Sequence, residues 1–467
     1  MANLTDTAST LALLEKYDRP GPRYTSYPTA VEFHDGVGDR QYRQRLALVD
    51  ADAQQPLSAY VHLPFCEARC AFCGCNVIIT PHREVAAQYL NVLDQEIALL
   101  ATALPQRRQI AQMHWGGGTP TYYESDQLAR LFDRIHQHFT FTPEAELGIE
   151  IDPRVTSSAQ LRRLRGLGFN RLSMGIQDFS PQVQQAINRE QSYELTAALI
   201  AEARAAGFTS VNVDLIYGLP FQTVESFAQT LEQTLTLRPD RVAAYSFAFV
   251  PWMRAHMKAL ATEALPSARV KLELLALTID AFVRAGYRQI GMDHFALPAD
   301  DLGQAAERGE LHRNFMGYTV QKTPDMVALG VSGIGEVHGA FVQNSKKLTE
   351  YYAAIGDGRF AVDRGYEMSL DDLVRRHVIS GLMCNFRVDI KQVEADFAID
   401  FKAYFVEELA ELTAAHSPAT DGLVTVDARA IDVTPLGRLF VRNVCMVFDR
   451  YLRARTAGPK PVFSRTV

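Results

Sequence analysis

The sequence predicts an α/β fold: a partial (β/α)6 barrel of the TIM type, with an N-terminal arm before it and a mainly helical C-terminal domain after it. Two observations carry the prediction. From about residue 56 to 300 short apolar runs alternate with amphipathic helical stretches, which reads as repeated βαβ units and a parallel sheet. Pattern alone also allows a doubly wound sheet. The second observation favours a barrel: the residues able to do chemistry fall just after the apolar runs, and barrel sites gather at the C-terminal strand ends.

The elements follow in order. Residues 1–55 form an arm, with the Pro-rich aromatic run Tyr17–Thr29 suited to lying across a site rather than to a regular element. Six strands are expected at Ser58–Leu63, Ile110–Trp115, Glu146–Ile151, Arg171–Ile176, Ser210–Ile216 and Arg241–Phe247. Helices follow the first three near Glu84–Leu100, Ser125–His138 and Ser157–Gly166. Residues 56–300 are thus the barrel and 301–364 a connecting segment. Residues 365–467 change texture to helices with short β pieces, Leu423–Val426 and Ala430–Val433, like a winged-helix appendage.

Composition narrows the function classes. A chain of 467 residues suggests two or three domains, and 47% hydrophobic content supports a large core. No apolar run reaches the roughly 18 residues that span a bilayer. The start Met1–Asp6 lacks the basic and apolar parts of an export signal, so a cytoplasmic location is expected, which suits reduced thiols. A net charge of −7 argues against nucleic acid as a partner.

The strongest motif is Cys66, Cys70 and Cys73 in the loop after the first strand. A four-iron cluster takes four thiolates when the protein closes it, so three leave one iron open. An open iron is where a small molecule binds and receives an electron. Cys75 makes a zinc site an alternative, although structural zinc ligands more often come as two separated pairs, and no second pair follows. Ordinary free thiols also remain open. Cys384 and Cys445, isolated in apolar surroundings, read as inert thiols.

Other strand ends carry polar groups. Gly116–Gly118 before Thr119 lets a ligand approach the backbone closely. Glu150 and Asp152 end the third strand, where an acid must be paired or bind a ligand, and Arg154 is the ready partner. Gln177, Asp178, Arg189 and Asp214 are each weak signals and together surround a polar ligand at a barrel mouth. The loop His312–Tyr318 reads as a satisfied surface loop from its residues alone.

Taken together, the cysteine loop with Gly74-Cys75-Asn76, Gly116–Thr121, Glu150–Arg154, Asn170–Phe179, Asn188–Glu190, Asp214–Pro220, Gly291–Phe295 and His312–Phe315 resemble the oxygen-independent coproporphyrinogen III oxidases, radical S-adenosylmethionine enzymes of haem biosynthesis. The resemblance runs from the arm to the tail Phe463-Ser-Arg465. It implies Cys66, Cys70 and Cys73 as [4Fe–4S] ligands, with Cys75 unligated. It implies Tyr60, Gly117, Glu150, Gln177, Arg189, Asp214 and Ala248 around one S-adenosyl-L-methionine, and Phe72 against its adenine. Gly118, Thr119 and Ile334 would hold a second one, with the arm and Phe315 closing a substrate chamber.

The implied reaction uses a 5′-deoxyadenosyl radical to take a hydrogen from two propionates of coproporphyrinogen III in turn. Carbon dioxide leaves and protoporphyrinogen IX, with its vinyl groups, remains. A cytosolic electron donor, an electron acceptor and a monomeric chain are expected with it. Arg23, Arg313 and Arg387 are candidates for the substrate's carboxylates by type and position. Two positions depart from the family pattern: Met316 stands for the usual Gln, and Phe249 for the usual His. They keep a radical methyltransferase on the same scaffold in view; a haem-binding carrier is a second alternative, against which the full Cys73–Asn76 loop speaks.

Overall fold

Every predicted barrel strand forms, each within two residues of its expected bounds except the third, which starts six residues earlier. They are β1 Leu57–Leu63, β2 Gln109–Gly117, β3 Thr140–Ile151, β4 Arg171–Gln177, β5 Ser210–Tyr217 and β6 Arg241–Ser246. The structure, a computed structural model, describes residues 7–321, 323–455 and 462–466. The start Met1–Asp6, read for the absence of an export signal, lies outside them. β1 to β6 pair in parallel in chain order, each with the next. Helices cover the outer face. The helix Arg83–Ala103 lays Tyr89, Leu90, Leu93, Ile97 and Leu100 on the sheet. Burial of each such side chain contributes about 1.5–3 kcal/mol. Ser157, Ser192 and Thr223 cap the helices after β3, β4 and β5 by accepting backbone N–H groups.

The sheet does not stop at six strands. Beyond β6 lie β7 Arg288–Ile290 and β8 His294–Ala296, with β8 antiparallel to β6. The segment 301–364, expected as a connection, holds two helices, Asp301–Arg308 and Leu348–Gly356, and several short strands. It supplies the hairpin β9 His312–Asn314 and β10 Gly317–Thr319, then β11 Met326–Leu329, β12 Ile334–Val337 and β13 Ala340–Asn344. With β14 Val362–Glu367 the sheet order is β14-β13-β12-β11-β1-β2-β3-β4-β5-β6-β8-β7. β11 runs parallel to β1, pairing Ser58 with Met326, so it lengthens the barrel wall on the cysteine-loop side. Strands of three to five residues carry too little alternation to be read from sequence.

The C-terminal region has its own core, in which the helix Leu370–Asn385 packs with a three-stranded sheet of Arg387–Asp389, Ala430–Val433 and Val424–Val426. Tyr24 and Tyr27 of the arm are buried in that core. The arm is held between the C-terminal helices and the barrel. Arg442 donates to the Pro22 carbonyl at 2.9 Å, and Arg23 to the Ser246 carbonyl at the end of β6.

Candidate active site

The C-terminal ends of β1 to β5 open on one cavity of about 310 Å3. After β1 the chain enters the Cys66–Cys75 loop, and Cys66, Cys70, Cys73 and Cys75 all line the cavity. At the end of β2, Gly117 takes φ +112, where a side chain would also strike the His62 ring. A side chain on Gly118 would strike the Pro64 backbone. The turn therefore packs against the start of the cysteine loop, with Gly118 N–H bonded to the Leu63 carbonyl at 2.9 Å.

The acids at the end of β3 divide the work. Asp152 is 7% exposed and sits between two guanidiniums, Arg154 Nη2 at 2.7 Å and Arg189 Nη1 at 3.0 Å. Burial opposes its charge, yet the two cations hold the carboxyl below its usual range. The ion pair of Asp152 with Arg154, the bland reading of that motif, is thus present. It is also part of the site, because both guanidiniums reach Cys70 Sγ, at 3.8 and 3.7 Å. They place positive charge against a sulfur that is negative when it ligates iron.

Glu150 is half-buried and turns into the cavity. Burial opposes its charge, while His114 Nε2 at 3.4 Å and the Gly117 N–H at 3.0 Å outweigh it and hold the carboxyl below the usual range. Asp214 on β5 goes the other way. Burial, then the Glu150 charge, pushes it up to about 6, although Asn212 Nδ2 donates to it at 2.9 Å.

Gln177 sits in a bulge between β4 and β5 with φ +67, which swings its amide into the cavity and leaves Oε1 buried and unpartnered. Arg189 Nε is likewise buried without a partner, while its Nη2 donates to the Gly175 carbonyl at 2.8 Å. Two orphaned polar atoms on a cavity wall are what a polar ligand would satisfy. Among the described residues no three His, Cys, Asp or Glu side chains converge as one metal ion requires. Cys66, Cys70 and Cys73 line one cavity together, as the ligands of a single cluster would. The donor set fits a [4Fe–4S] cluster with a charged, hydroxyl-bearing ligand beside it.

Phe72, Gly117, Gly118, Thr119, Glu150, Gln177, Arg189 and Asp214 line this cavity. Tyr60, Ala248 and Ile334 do not. Tyr60 bonds His62 Nδ1 at 3.1 Å and stacks on His114, so it reaches the site only through those rings. Ala248 lies in the irregular chain after β6, and Ile334 begins β12.

The barrel holds a second cavity of about 140 Å3, which shares Glu150, Ser173 and Asp214 with the first as lining. Met316 and Tyr318 of the hairpin enter it beside Tyr245 and His294. The loop read as a surface loop is therefore part of the interior. Phe315 at the hairpin tip packs on Phe33 of the arm and Phe341 of β13, with ring centres 6.4 and 5.5 Å apart. Sequence reasoning missed Ser173, His114 and His294; inward alternation along β4 and β2 was the available signal for the first two, while β8 is too short to carry one. Arg387 is corrected: it is exposed and paired with Asp432 at 2.7 Å, on the C-terminal sheet. Arg313 stays near the interior, its guanidinium 4.9 Å from the Tyr318 ring.

A three-cysteine loop at the mouth of a partial barrel, with a polar cavity beside it, defines a radical S-adenosylmethionine protein. Residues 60–234 match the Radical SAM superfamily and residues 368–440 the HemN C-terminal domain. The chain is 46% identical over 458 residues to the oxygen-independent coproporphyrinogen III oxidase of Salmonella typhimurium, covering 98% of each. It is 44% identical to that of Pseudomonas aeruginosa, covering 94% of this chain and 95% of the other. The structure of coproporphyrinogen III oxidase from Escherichia coli superposes with a TM-score of 0.89 at 46% identity, covering 95% of this chain and 99% of that one. The chain belongs to the oxygen-independent coproporphyrinogen III oxidases. Membership brings a [4Fe–4S] cluster and S-adenosylmethionine as cofactors. Among the described residues no helix is long and apolar enough to cross a membrane.

Proposed function

We propose that this chain oxidatively decarboxylates two propionate side chains of coproporphyrinogen III to vinyl groups without oxygen, giving protoporphyrinogen IX in haem biosynthesis. One observation carries the reading: three thiols and the Glu150, Gln177, Arg189 and Asp214 side chains share one cavity, in a chain 46% identical to such oxidases over 98% of its length. Cys66, Cys70 and Cys73 would hold the cluster, which when bound with S-adenosylmethionine supplies one-electron cleavage of the sulfonium and so a carbon radical.

The chain's own residues bind, orient and exclude. Arg189 meets the methionine carboxylate, Gln177 and Asp214 take the ribose hydroxyls, and Phe72 packs on adenine. Glu150, already accepting from Gly117, holds the turn against the cofactor. Tyr60 acts through His62 and His114 rather than by touch. A second S-adenosylmethionine would lie by Gly118, Thr119 and Ile334. Phe33 and Phe315 seal the interior from water, which keeps a radical on its intended carbon. Arg313, beside the Tyr318 ring, is a candidate cation for a substrate carboxylate.

The test is an anaerobic incubation of cluster-loaded protein with coproporphyrinogen III, S-adenosylmethionine and a reductant. Vinyl products, carbon dioxide and 5′-deoxyadenosine are expected. Protein with a full cluster and no decarboxylation would overturn the reading, and S-adenosylhomocysteine with a methylated product would put a methyltransferase in its place. Equilibrium dialysis with S-adenosylmethionine tests the second cofactor, and one equivalent bound would remove it.

A further inference from the structure

One part of the wall around the inner cavity belongs to no barrel strand. The hairpin of β9 and β10 forms a two-stranded sheet of its own and pairs with no strand of the large sheet. Asn314, Met316 and Tyr318 of the hairpin line the 140 Å3 cavity. Its residues also line a further chamber of about 550 Å3, walled elsewhere by Met326 of β11, Glu336 of β12 and the helix Leu370–Asn385. Asn314 and Thr319 line both spaces, so the hairpin is the partition between them. Pro324 and His377 are exposed where they line the chamber, which therefore opens on the surface. Neither Phe33 nor Phe315 lines it, so it is distinct from the substrate chamber expected at the arm.

The chemistry of the chamber points to an organic anion. Two guanidiniums, Arg313 and Arg376, and two imidazoles, His312 and His377, stand in its lining against one carboxylate among the described residues, Glu336. That carboxylate is spent on Arg376, which holds it with both terminal nitrogens, Nη2 at 2.8 Å. Arg313 lines this chamber and not the inner cavity. It gives Nη1 to the Arg23 carbonyl at 3.1 Å and keeps Nε buried without a partner. An unused guanidinium donor suits a carboxylate. Leu311, Leu373 and Phe397 add apolar surface for a flat hydrocarbon body. Size agrees with this, because ligand sites enclose about 300–1,000 Å3. The 310 Å3 cavity is claimed by the cluster and S-adenosylmethionine, and the 140 Å3 cavity is too small for a macrocycle.

We propose that this chamber, between the hairpin and the helix Leu370–Asn385, binds the body of a carboxylate-bearing tetrapyrrole, with Arg313 on one carboxylate and a propionate arm passing Asn314 and Thr319 toward the inner cavity. The proposal rests on the functional reading above and adds to it the place of the substrate, on the side of the C-terminal helix rather than at the cluster mouth. The hairpin then stands between the macrocycle and the radical, and only the reacting arm shares the cofactor's space. Binding there makes and breaks no covalent bond.

The probe is coproporphyrin III, the air-stable oxidation product of the substrate, used anaerobically with cluster-loaded protein. Modification of His377 by diethyl pyrocarbonate, read by peptide mass, is expected to slow roughly tenfold with the porphyrin present and not at all with S-adenosylmethionine alone. Equilibrium dialysis is expected to show roughly tenfold weaker porphyrin binding by Ser380→Trp, which fills the chamber, and by His377→Glu, which adds a negative charge at its exposed rim. Iron content and affinity for S-adenosylmethionine should equal the parent's in both. An unprotected His377, or parental porphyrin affinity in both variants, overturns the proposal. So does weaker S-adenosylmethionine binding in the variants, which would make the chamber a support of the cofactor site. Protection is read on the parent, so it decides the matter even where a variant fails to fold. Decarboxylation by a parent whose His377 stays unprotected sinks this proposal alone. Protection without decarboxylation supports the binding site and sinks the functional reading instead.

Discussion

Arg189 does more than any other single side chain at the mouth. It is 6% exposed, bonds Asp152 and the Gly175 carbonyl, touches Cys70 Sγ, and keeps Nε buried and unpartnered. Its planar fork reaches these partners together, which a lysine ammonium does not. Arg189→Lys is therefore expected to weaken S-adenosylmethionine binding by one to two orders of magnitude, about 1.5–3 kcal/mol, while iron content stays unchanged. Affinity equal to the parent would make Arg189 a structural cation only. Asp214 supplies a pH dependence. Its raised folded-state value near 6 means that it is charged above pH 6 and protonates below it. If it accepts ribose hydroxyls, the dissociation constant for S-adenosylmethionine rises as pH falls through 6, and Asp214→Asn flattens that rise. A profile unchanged in the variant would remove Asp214 from the binding set.

At the scale of elements, Glu96 shows how the outer sheet is tied to the barrel. It lies buried on the helix Arg83–Ala103 and accepts from Tyr351 at 2.7 Å, Asn344 at 2.7 Å and the Gly330 N–H at 2.6 Å. Tyr89 on the same helix donates to the His62 carbonyl at 2.7 Å and accepts from Val331 N–H. The turn between β11 and β12 is thereby fixed against the end of β1, where the cysteine loop begins. Burial pushes Glu96 up to about 7 despite its three donors. A carboxyl raised on folding favours the folded state most at low pH, and that advantage is lost as pH rises from about 4.5 to about 7. The parent should lose on the order of 3 kcal/mol more stability across that window than Glu96→Gln, read by thermal melting of both. Parallel curves would contradict the raised value. The long strands β1 to β6 and their helices were legible in the sequence, since six or more residues carry their own periodicity. β9 to β13 were not, because each is stable only as an addition to a neighbour's edge.

For the molecule as a whole, the arm decides whether the barrel is closed. Arg442, 4% exposed, donates to the carbonyls of Pro22, Gly21, Arg465 and Thr466, so one side chain joins the arm, the tail and the C-terminal helices. Arg442→Ala leaves those buried carbonyls without donors, at roughly 1–3 kcal/mol each where water cannot replace them. Trypsin should then cut after Arg23 roughly tenfold faster, and turnover should fall, while the barrel's cluster content holds. Unchanged cleavage would show that the aromatic contacts of Tyr24 and Tyr27 suffice without it.

The sequence by itself determined the parallel barrel core, the three-thiol loop and the polar strand ends. Each is a local pattern: a period of apolar residues, a spacing of cysteines, a glycine run. Only the tertiary structure decided that Asp152 is shared by Arg154 and Arg189 beside Cys70, that Met316 lies inside the barrel, and that Arg387 is spent on the surface. These depend on partners tens to hundreds of residues away. A side chain's neighbours across such distances are set by which strands pair and which helix covers them, and no local spacing encodes that.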